Sequence, residues 1–377
     1  MNDAHWSSIL IHMKGYLEKD LMEDNMNKSQ SDDLSLFLTR TGNLLIYLLN
    51  ECNLYCKHCY LDADNCGSVQ LPFPLVKRTL DEACELGIKS VQFSGGEPFL
   101  YPYIYNVLKY AADKGFAVTI STNGTLIDDE SAILLADINA SIVTSIDGPA
   151  DYHDLFRGQK GSFLKTEAAI TRLINFGVPV KIVATVCEDN MKYINWCADW
   201  AYNIKAKVLQ FQPLESLGRG RQIEDKRIKE ERLHDLFISL NDLAIFYAKK
   251  GLHIKMTYQS RDFMILHPCN AFVCNGKECH RGIDKELKNI VIREDGSILP
   301  ELVDIDKQYS IGNLYNDTLK NNLLYYLDDG YVLFDHLCRE VYNDSVINNP
   351  SPLIPWTELL TERSRLPITR ACKTEGG

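Results

Sequence analysis

The chain has 377 residues, 45% of them hydrophobic, which is enough to bury one large core or a core with a smaller appended domain. Its 40 Lys and Arg against 51 Asp and Glu give a net charge of -11, so we expect neither nucleic acid nor a membrane surface as a partner. The N-terminus lacks a basic segment leading into an apolar run, and no apolar run is long enough to span a bilayer, so we expect a cytoplasmic protein.

The first 43 residues are polar, and we expect a loosely ordered or helical arm there. From Leu44 onward, short apolar runs alternate with segments of helical period. The predicted strands are 44–50, 88–93, 117–121, 141–147, 180–186 and 207–212. The predicted helices are a segment from Pro74 to a stop at Gly87, then 102–114, 128–136, 162–176, 190–203 and a long helix over 223–250.

This alternation predicts an α/β fold in which helices cover a parallel sheet, although periodicity alone does not separate a partial barrel from a flat sheet. The character of the chain changes near 251–265, where we expect a domain boundary. Beyond it, two short apolar runs flank Asp295-Gly296, a strong hairpin signal.

The twelve cysteines include two clusters, and in a long chain without an export signal such clusters indicate metal binding rather than disulfides. The first cluster, Cys52, Cys56 and Cys59, follows the first predicted strand with C-x3-C-x2-C spacing. Three thiolates leave one iron of a cubane cluster open to chelate a small molecule. There are two alternatives: a zinc site with His58 as a fourth ligand, and three buried cysteines with a purely structural role.

Polar segments follow the next three strands. SGGEP spans Ser94 to Pro98, STNG contains Thr122 and Asn123, and SIDGP contains Ser145 and Asp147. Strand ends are where open α/β folds bind ligands, and adjacent glycines allow close approach of the backbone. Taken alone, SGGEP is better explained as a tight strand-to-helix turn.

ECNLYCKHCYL and the segments after it resemble the radical S-adenosylmethionine (SAM) superfamily. The resemblance implies a partial (β/α)6 TIM-like barrel over 44–255, with Cys52, Cys56 and Cys59 as catalytic ligands of a 4Fe-4S cluster. It also implies a SAM site in which Ser94, Gly95, Gly96 and Glu97 hold the methionyl ammonium. The ribose and carboxylate of SAM would be held by Thr122, Asn123, Ser145, Asp147 and Arg157. For Arg157 the alternative is an ordinary surface ion pair. Thr185, Asn190, Gln210 and Gln212 are weaker candidates.

The segment around the second cysteine cluster, Cys269, Cys274 and Cys279, resembles the SPASM-type extension of peptide-modifying members of that superfamily. We therefore expect a smaller α+β extension over 256–377 with a β-hairpin. It departs from the pattern at Pro300, which is followed by Glu301 rather than cysteine, and again downstream, where Cys338 and Cys372 replace a cysteine-rich run.

The extension could hold one auxiliary iron-sulfur cluster, on two or three of Cys269, Cys274 and Cys279 with Cys338 or Glu301. The alternatives are a metal-free hairpin domain or a zinc site with His267 and His280, which are equally well explained as surface histidines. Glu301 is also a candidate base or substrate anchor, or a solvated glutamate at a strand end. Cys372 is a candidate hydrogen donor or a spare surface thiol.

The resemblance implies reductive cleavage of SAM to a 5'-deoxyadenosyl radical, which abstracts hydrogen from the substrate. A ribosomally made precursor peptide or protein is the leading substrate, modified by crosslinking, epimerisation or oxidation. The alternative is maturation of a tetrapyrrole or another small cofactor, since LQFQPLESLGRGRQ resembles a segment of haem-modifying members. A non-catalytic zinc-binding interaction protein is the third hypothesis. The expected partners are a flavodoxin- or ferredoxin-type electron donor and a separate leader-binding protein.

Overall fold

In the computed structural model, the described residues are 43–66, 69–266, 268, 289–301, 304–326 and 330–367. The predicted arm at 1–43 therefore lies outside them except for Asn43. Ten of the strands form one sheet, in the order β11-β10-β9-β1-β2-β3-β4-β5-β6-β7, and β8 and β12 form a separate pair. The strands β1 to β12 are Asn43–Tyr47, Ser90–Ser94, Ala117–Ser121, Ser141–Ser145, Val180–Val186, Val208–Pro213, His253–Met256, Gln259–Ser260, Asn289–Ile292, Ser297–Pro300, Gly312–Asn313 and Leu353–Ile354.

The helices cover this sheet and connect its strands. The α-helices α1 to α11 are Phe73–Glu85, Ile104–Asp113, Asp129–Asp137, Ala150–Arg157, Ser162–Asn175, Ile194–Asn203, Glu230–Ala248, Arg261–Leu266, Leu319–Tyr325, Tyr331–Tyr342 and Trp356–Ser364. Short 3-10 helices occupy Pro98–Leu100, Met191–Tyr193, Gly218–Lys226 and Lys307–Tyr309, and Asn343–Ile347 is a π-helical turn. In the part of the chain that the structure describes, no helix has the length and apolar content needed to cross a bilayer.

Strands β1 to β7 pair in parallel and in sequence order. Each connection between consecutive strands contains at least one helix, whose apolar face packs on the sheet. In α1 this face consists of Leu75, Val76, Leu80 and Ala83. The predicted α/β partial barrel is confirmed, and each of its six predicted strands is present within a few residues of its expected bounds.

The helices differ from expectation mainly at their starts. The predicted helix over 223–250 begins at Glu230, because the preceding segment Gly218–Lys226 winds as a 3-10 helix that carries Arg219 into the interior. The helix predicted over 190–203 begins at Ile194 in the same way, after the 3-10 turn Met191–Tyr193.

The predicted β-hairpin is present as β9 and β10, which turn at Asp295-Gly296, where Gly296 has a φ of 77°. This hairpin continues the barrel sheet, since β9 pairs in parallel with β1 and Asn43 lies opposite Asn289. The division of the chain at residue 255 stays a prediction, and β7 (His253–Met256) spans that point.

Candidate functional site

The three cysteines of the first cluster lie on the loop that follows β1. Cys52 and Cys56 are buried, Cys59 is partly exposed, and none of them forms a disulfide. Leu54 and Ala63 pack with them in a small apolar cluster under the loop. All three side chains line one cavity of about 340 Å³ at the carboxyl ends of the barrel strands.

Two of the thiols, Cys52 and Cys56, are held in an environment that disfavours their anions. Burial raises the pKa of Cys52 to about 12, and burial also raises the pKa of Cys56, although the nearby Arg157 opposes this. A bound metal cation is what stabilises thiolates in such surroundings. A positively charged group bound at the loop would therefore stabilise the thiolates of Cys52 and Cys56.

This donor set fits a 4Fe-4S cluster, for which three thiolates leave one iron open. Among the described residues, no three His, Cys, Asp or Glu side chains form a compact site for a single metal ion. His58, the candidate fourth zinc ligand, lines the same cavity and stacks on Phe156 with ring centroids 4.2 Å apart. Burial lowers its pKa to about 3 and so keeps the imidazole in the neutral form that binds zinc. A zinc site therefore stays an alternative to the cluster.

The SGGEP turn packs directly against the cysteine loop. The Gly96 amide donates to the Leu49 carbonyl at 2.8 Å, and the Glu97 amide donates to the Glu51 carbonyl at 2.8 Å. A Cβ on Gly96 would lie 2.0 Å from the Glu51 carbonyl oxygen, and one on Gly95 would lie 2.5 Å from that of Leu49. The two glycines therefore permit close approach to the chain just before Cys52, while Ser94, Gly95 and Gly96 also line the cavity.

Glu97 is fully buried, and its carboxylate joins the second strand to the third. It accepts hydrogen bonds from Thr122 Oγ1 at 2.8 Å, from the Asn123 amide at 2.8 Å and from the Phe99 amide at 3.0 Å. Burial raises its pKa to about 6 against the opposing effect of these bonds. Glu97 thus fixes the backbone of the STNG turn.

Asn123 connects that turn to the cysteine loop. Its Nδ2 donates to Asn53 Oδ1 at 2.8 Å and lies 4.0 Å from Cys52 Sγ. Thr122, Asn123 and Ser145 all line the cavity, as the resemblance implies. The ends of β3 and β4 therefore border the same space as the thiols.

Asp147 and Arg157 form a buried ion pair beside this space. Arg157 lines the cavity, and its Nη1 lies 3.9 Å from Cys56 Sγ. The Asp147 carboxylate accepts from Arg157 and from the Thr185 amide, and the charge of Arg157 holds its pKa below the usual range although burial opposes this. Asn190 donates to the Asp147 carbonyl at 2.9 Å, which places it beside the pair.

The barrel strands β5 and β6 supply the far wall of the cavity. The weaker candidates Thr185, Gln210 and Gln212 all line it. Sequence reasoning missed Lys181, which lines it too. The signal was available, because Lys181 interrupts an apolar strand at a position that alternates with Val183 and Thr185.

The candidates Glu301 and Cys338 of the C-terminal region are not among the residues that line this cavity. Glu301 is buried at the end of β10 with a φ of 63°, and its carboxylate accepts from the Asn289 amide at 3.1 Å and from Asn289 Nδ2 at 3.0 Å. Cys338 is fully buried in the hydrophobic core, on the helix Tyr331–Tyr342. The other candidates lie outside the described residues: Cys269, Cys274, Cys279, His267, His280 and Cys372.

The comparisons with known proteins agree with this geometry. The family model "Radical SAM superfamily" matches residues 46–200. The subtilosin biosynthesis protein AlbA of Bacillus subtilis is 29% identical over 277 residues, covering 73% of this chain and 57% of AlbA. An AdoMet-dependent heme synthase of Oleidesulfovibrio alaskensis is 30% identical over 224 residues, covering 57% of this chain and 56% of that protein.

The chain thus spans less than two thirds of the length of either curated relative. Among solved structures, SuiB of Streptococcus suis bound to its precursor peptide SuiA has a TM-score of 0.61 at 19% identity, covering 88% of this chain and 79% of SuiB. That likeness concerns the fold. The matched region, residues 46–200, holds the cysteine loop, the end of β1 and the strands β2 to β5, so the chain carries there a domain similar to the radical SAM superfamily, an enzyme family that uses a 4Fe-4S cluster and SAM.

Proposed function

We propose that this chain is a radical SAM enzyme that abstracts hydrogen from a ribosomally made precursor peptide or protein. The observation that carries the proposal is the convergence of the three thiols with Ser94, Gly95, Gly96, Thr122, Asn123 and Ser145 on one cavity. These residues come from four separate segments of the chain, and such convergence is typical of a binding site.

In this proposal Cys52, Cys56 and Cys59 hold the cluster, and the cavity wall formed by the SGGEP, STNG and SIDGP segments holds SAM. The chemistry that such a bound group would supply is the one-electron reduction of SAM by a low-potential donor, giving methionine and a 5'-deoxyadenosyl radical that would take a hydrogen atom from the substrate. Arg157 keeps a positive charge beside Cys56 and thereby favours its thiolate. Glu97 and Asp147 orient the strand ends through their hydrogen bonds to Thr122, Asn123 and Thr185.

A peptide substrate is supported by the extent of the match to AlbA, which covers 73% of this chain, against 57% for the heme synthase. SuiB, whose structure contains a precursor peptide, shares the fold. The tetrapyrrole alternative is supported by the 30% identity to the heme synthase and by the LQFQPLESLGRGRQ segment. A flavodoxin- or ferredoxin-type donor and a separate leader-binding protein complete the proposal.

The test is anaerobic reconstitution with iron and sulfide, followed by incubation with dithionite and SAM and quantification of 5'-deoxyadenosine. We expect product from the wild type and none from Cys56→Ala. Cys66→Ala is the matched control, since Cys66 is an exposed cysteine of the same loop region outside the cavity, and it should retain product formation. Stoichiometric zinc without iron, or full activity of Cys56→Ala, would overturn the proposal.

A further inference from the structure

Lys181 lies inside the barrel, on the strand Val180–Val186. Side chains at alternate positions of a strand face the same side, and Lys181, Val183 and Thr185 all line the cavity that the three thiols border. In register, Lys181 lies opposite Val143 on β4 and Val208 on β6. The ammonium is therefore carried on the barrel interior rather than on its helix-covered face.

No acidic side chain among the described residues forms an ion pair with Lys181, and its charged neighbour is Lys255 on β7. Other strands contribute neutral polar groups to the same cavity, namely Gln210 and Gln212 on the adjacent β6 and Ser121 on β3. Amides and hydroxyls donate and accept hydrogen bonds but do not neutralise a charge. The cavity wall around Lys181 can thus form hydrogen bonds with a polar ligand, but its neutral groups provide no counter-ion for the ammonium.

The cavity contains two other cations in the described part of the chain, and both already have partners. Arg157 is bonded to Asp147, and Arg219 donates to Asp62 Oδ1 at 3.0 Å and to the Cys56 carbonyl at 2.8 Å. Glu215 also lines the cavity, but burial and the nearby Glu358 raise its pKa to about 7. Of the three basic side chains Arg157, Lys181 and Arg219 that line the cavity, Lys181 is therefore the one available to bind an anionic ligand.

This placement has an energetic cost. Lysine is seldom found in an interior unless it is paired, because an ammonium loses its hydration there. Burial, with a further contribution from Lys255, lowers the pKa of Lys181 to about 7. A ligand carboxylate beside the amine would restore the charged form and form a charge-assisted hydrogen bond.

We propose that Lys181 is the centre of a carboxylate-binding subsite inside the barrel, which anchors an acidic group of the substrate. The inference rests on the proposed function for the identity of the substrate. The carboxylate belongs either to a peptide, as an Asp, Glu or C-terminal group, or to a propionate of a tetrapyrrole. Lys181 acts here as a positioning residue, and no step of the reaction is assigned to it.

The test compares two probe pairs in equilibrium titrations with the reconstituted full chain in the presence of SAM. One pair is N-acetyl-Gly-Glu-Gly-amide and its Gln counterpart, and the other is coproporphyrin III and its tetramethyl ester. We expect the acidic member of one pair to bind at least about tenfold tighter than its neutral counterpart, as a charge-assisted hydrogen bond gives. The pair that discriminates identifies the source of the carboxylate.

Lys181→Met should remove this preference and Lys181→Arg should retain most of it, with Lys181→Gln as the substitute if the Met variant does not fold. Lys207→Met, at an exposed lysine just before β6, is the matched control and should keep the preference. A preference that persists in Lys181→Met, or neither pair discriminating in the wild type, would overturn the inference. Loss of SAM affinity in Lys181→Met with the preference unchanged would overturn it as well.

These titrations measure binding and need no turnover. A wild type that prefers the acidic probe but forms no 5'-deoxyadenosine would refute the proposed function and leave the subsite standing. A wild type that forms 5'-deoxyadenosine but does not discriminate would refute the subsite alone.

Discussion

The guanidinium of Arg157 donates two hydrogen bonds to the carboxylate of Asp147, from Nε to Oδ2 at 2.7 Å and from Nη2 to Oδ1 at 3.1 Å. Asp147 follows the fourth barrel strand, and Arg157 ends the helix Ala150–Arg157. The same guanidinium reaches Cys56 Sγ, so this pair fixes the SIDGP segment to the cysteine loop.

We expect Arg157→Met to destabilise the fold by about 3–5 kcal/mol, because it leaves the Asp147 carboxylate buried without its counter-ion. The double variant with Asp147→Asn should lose less than the sum of the two single changes. Denaturant unfolding of the four proteins measures this coupling.

Arg172→Met is the matched control, since Arg172 pairs with Asp129 at the surface and Asp129 is 75% exposed. Its cost should stay within about 1 kcal/mol. Equal costs for the two arginine variants would contradict the role of the buried pair.

Glu97 should impose a pH dependence on stability. Its folded-state pKa of about 6 exceeds the ordinary value of 4.5, so the folded protein holds the proton more tightly than the unfolded chain does. The contribution of Glu97 to stability is therefore fully present below the ordinary pKa and is lost as pH rises through the folded pKa. The loss amounts to about 2 kcal/mol across this window.

Unfolding curves of the wild type and Glu97→Gln at several pH values isolate this effect. The stability of the wild type relative to the variant should fall between pH 4.5 and 6. The variant also loses an acceptor for the Asn123 amide, which lowers its stability by an amount that does not vary with pH. A constant difference between the two proteins across the window would refute the assignment.

Gly96→Ala tests the packing of the SGGEP turn on the cysteine loop. Its Cβ would lie 2.0 Å from the Glu51 carbonyl oxygen, which belongs to backbone and has little room to move. We expect a loss of about 3 kcal/mol or more and a lower iron content after reconstitution, because the loop before Cys52 must shift.

Gly177→Ala is the control for backbone strain alone. Gly177 has a φ of 80°, and a Cβ there would meet nothing within 4 Å. This substitution should cost about 1–2 kcal/mol and leave iron binding unchanged. Similar iron contents in the two variants would show that the turn does not shape the loop.

The barrel strands and the motifs at their ends could be predicted from the sequence, because both follow local rules of periodicity and strand-end position. The partners of buried charges could not. Nothing in the sequence next to Glu97 indicates that its carboxylate accepts hydrogen bonds from Thr122 and Asn123. Nor does the sequence next to Asp147 show that its carboxylate pairs with Arg157 rather than with a ligand.

Long-range strand pairing was equally hidden. Asp295-Gly296 predicts the hairpin, but the sequence of two strands and their turn does not indicate with which third strand the hairpin pairs. The parallel pairing of β9 with β1 depends on the shape of the whole barrel. Lys181 differs from these pairings, because its alternation with Val183 and Thr185 is a local signal that places it on the barrel interior.

The pairing of β9 with β1 also bears on the order in which the molecule assembles. During synthesis β1 can join β2 early, yet its other edge stays uncovered until the ribosome has passed Ile292, because Asn43–Ile46 pair with Asn289–Ile292. An uncovered edge strand invites wrong pairing, and contacts so distant in sequence form slowly. The loop that carries Cys52, Cys56 and Cys59 therefore follows a strand with one unpaired edge until β9 has been made. We expect metal loading to follow completion of the hairpin rather than precede it.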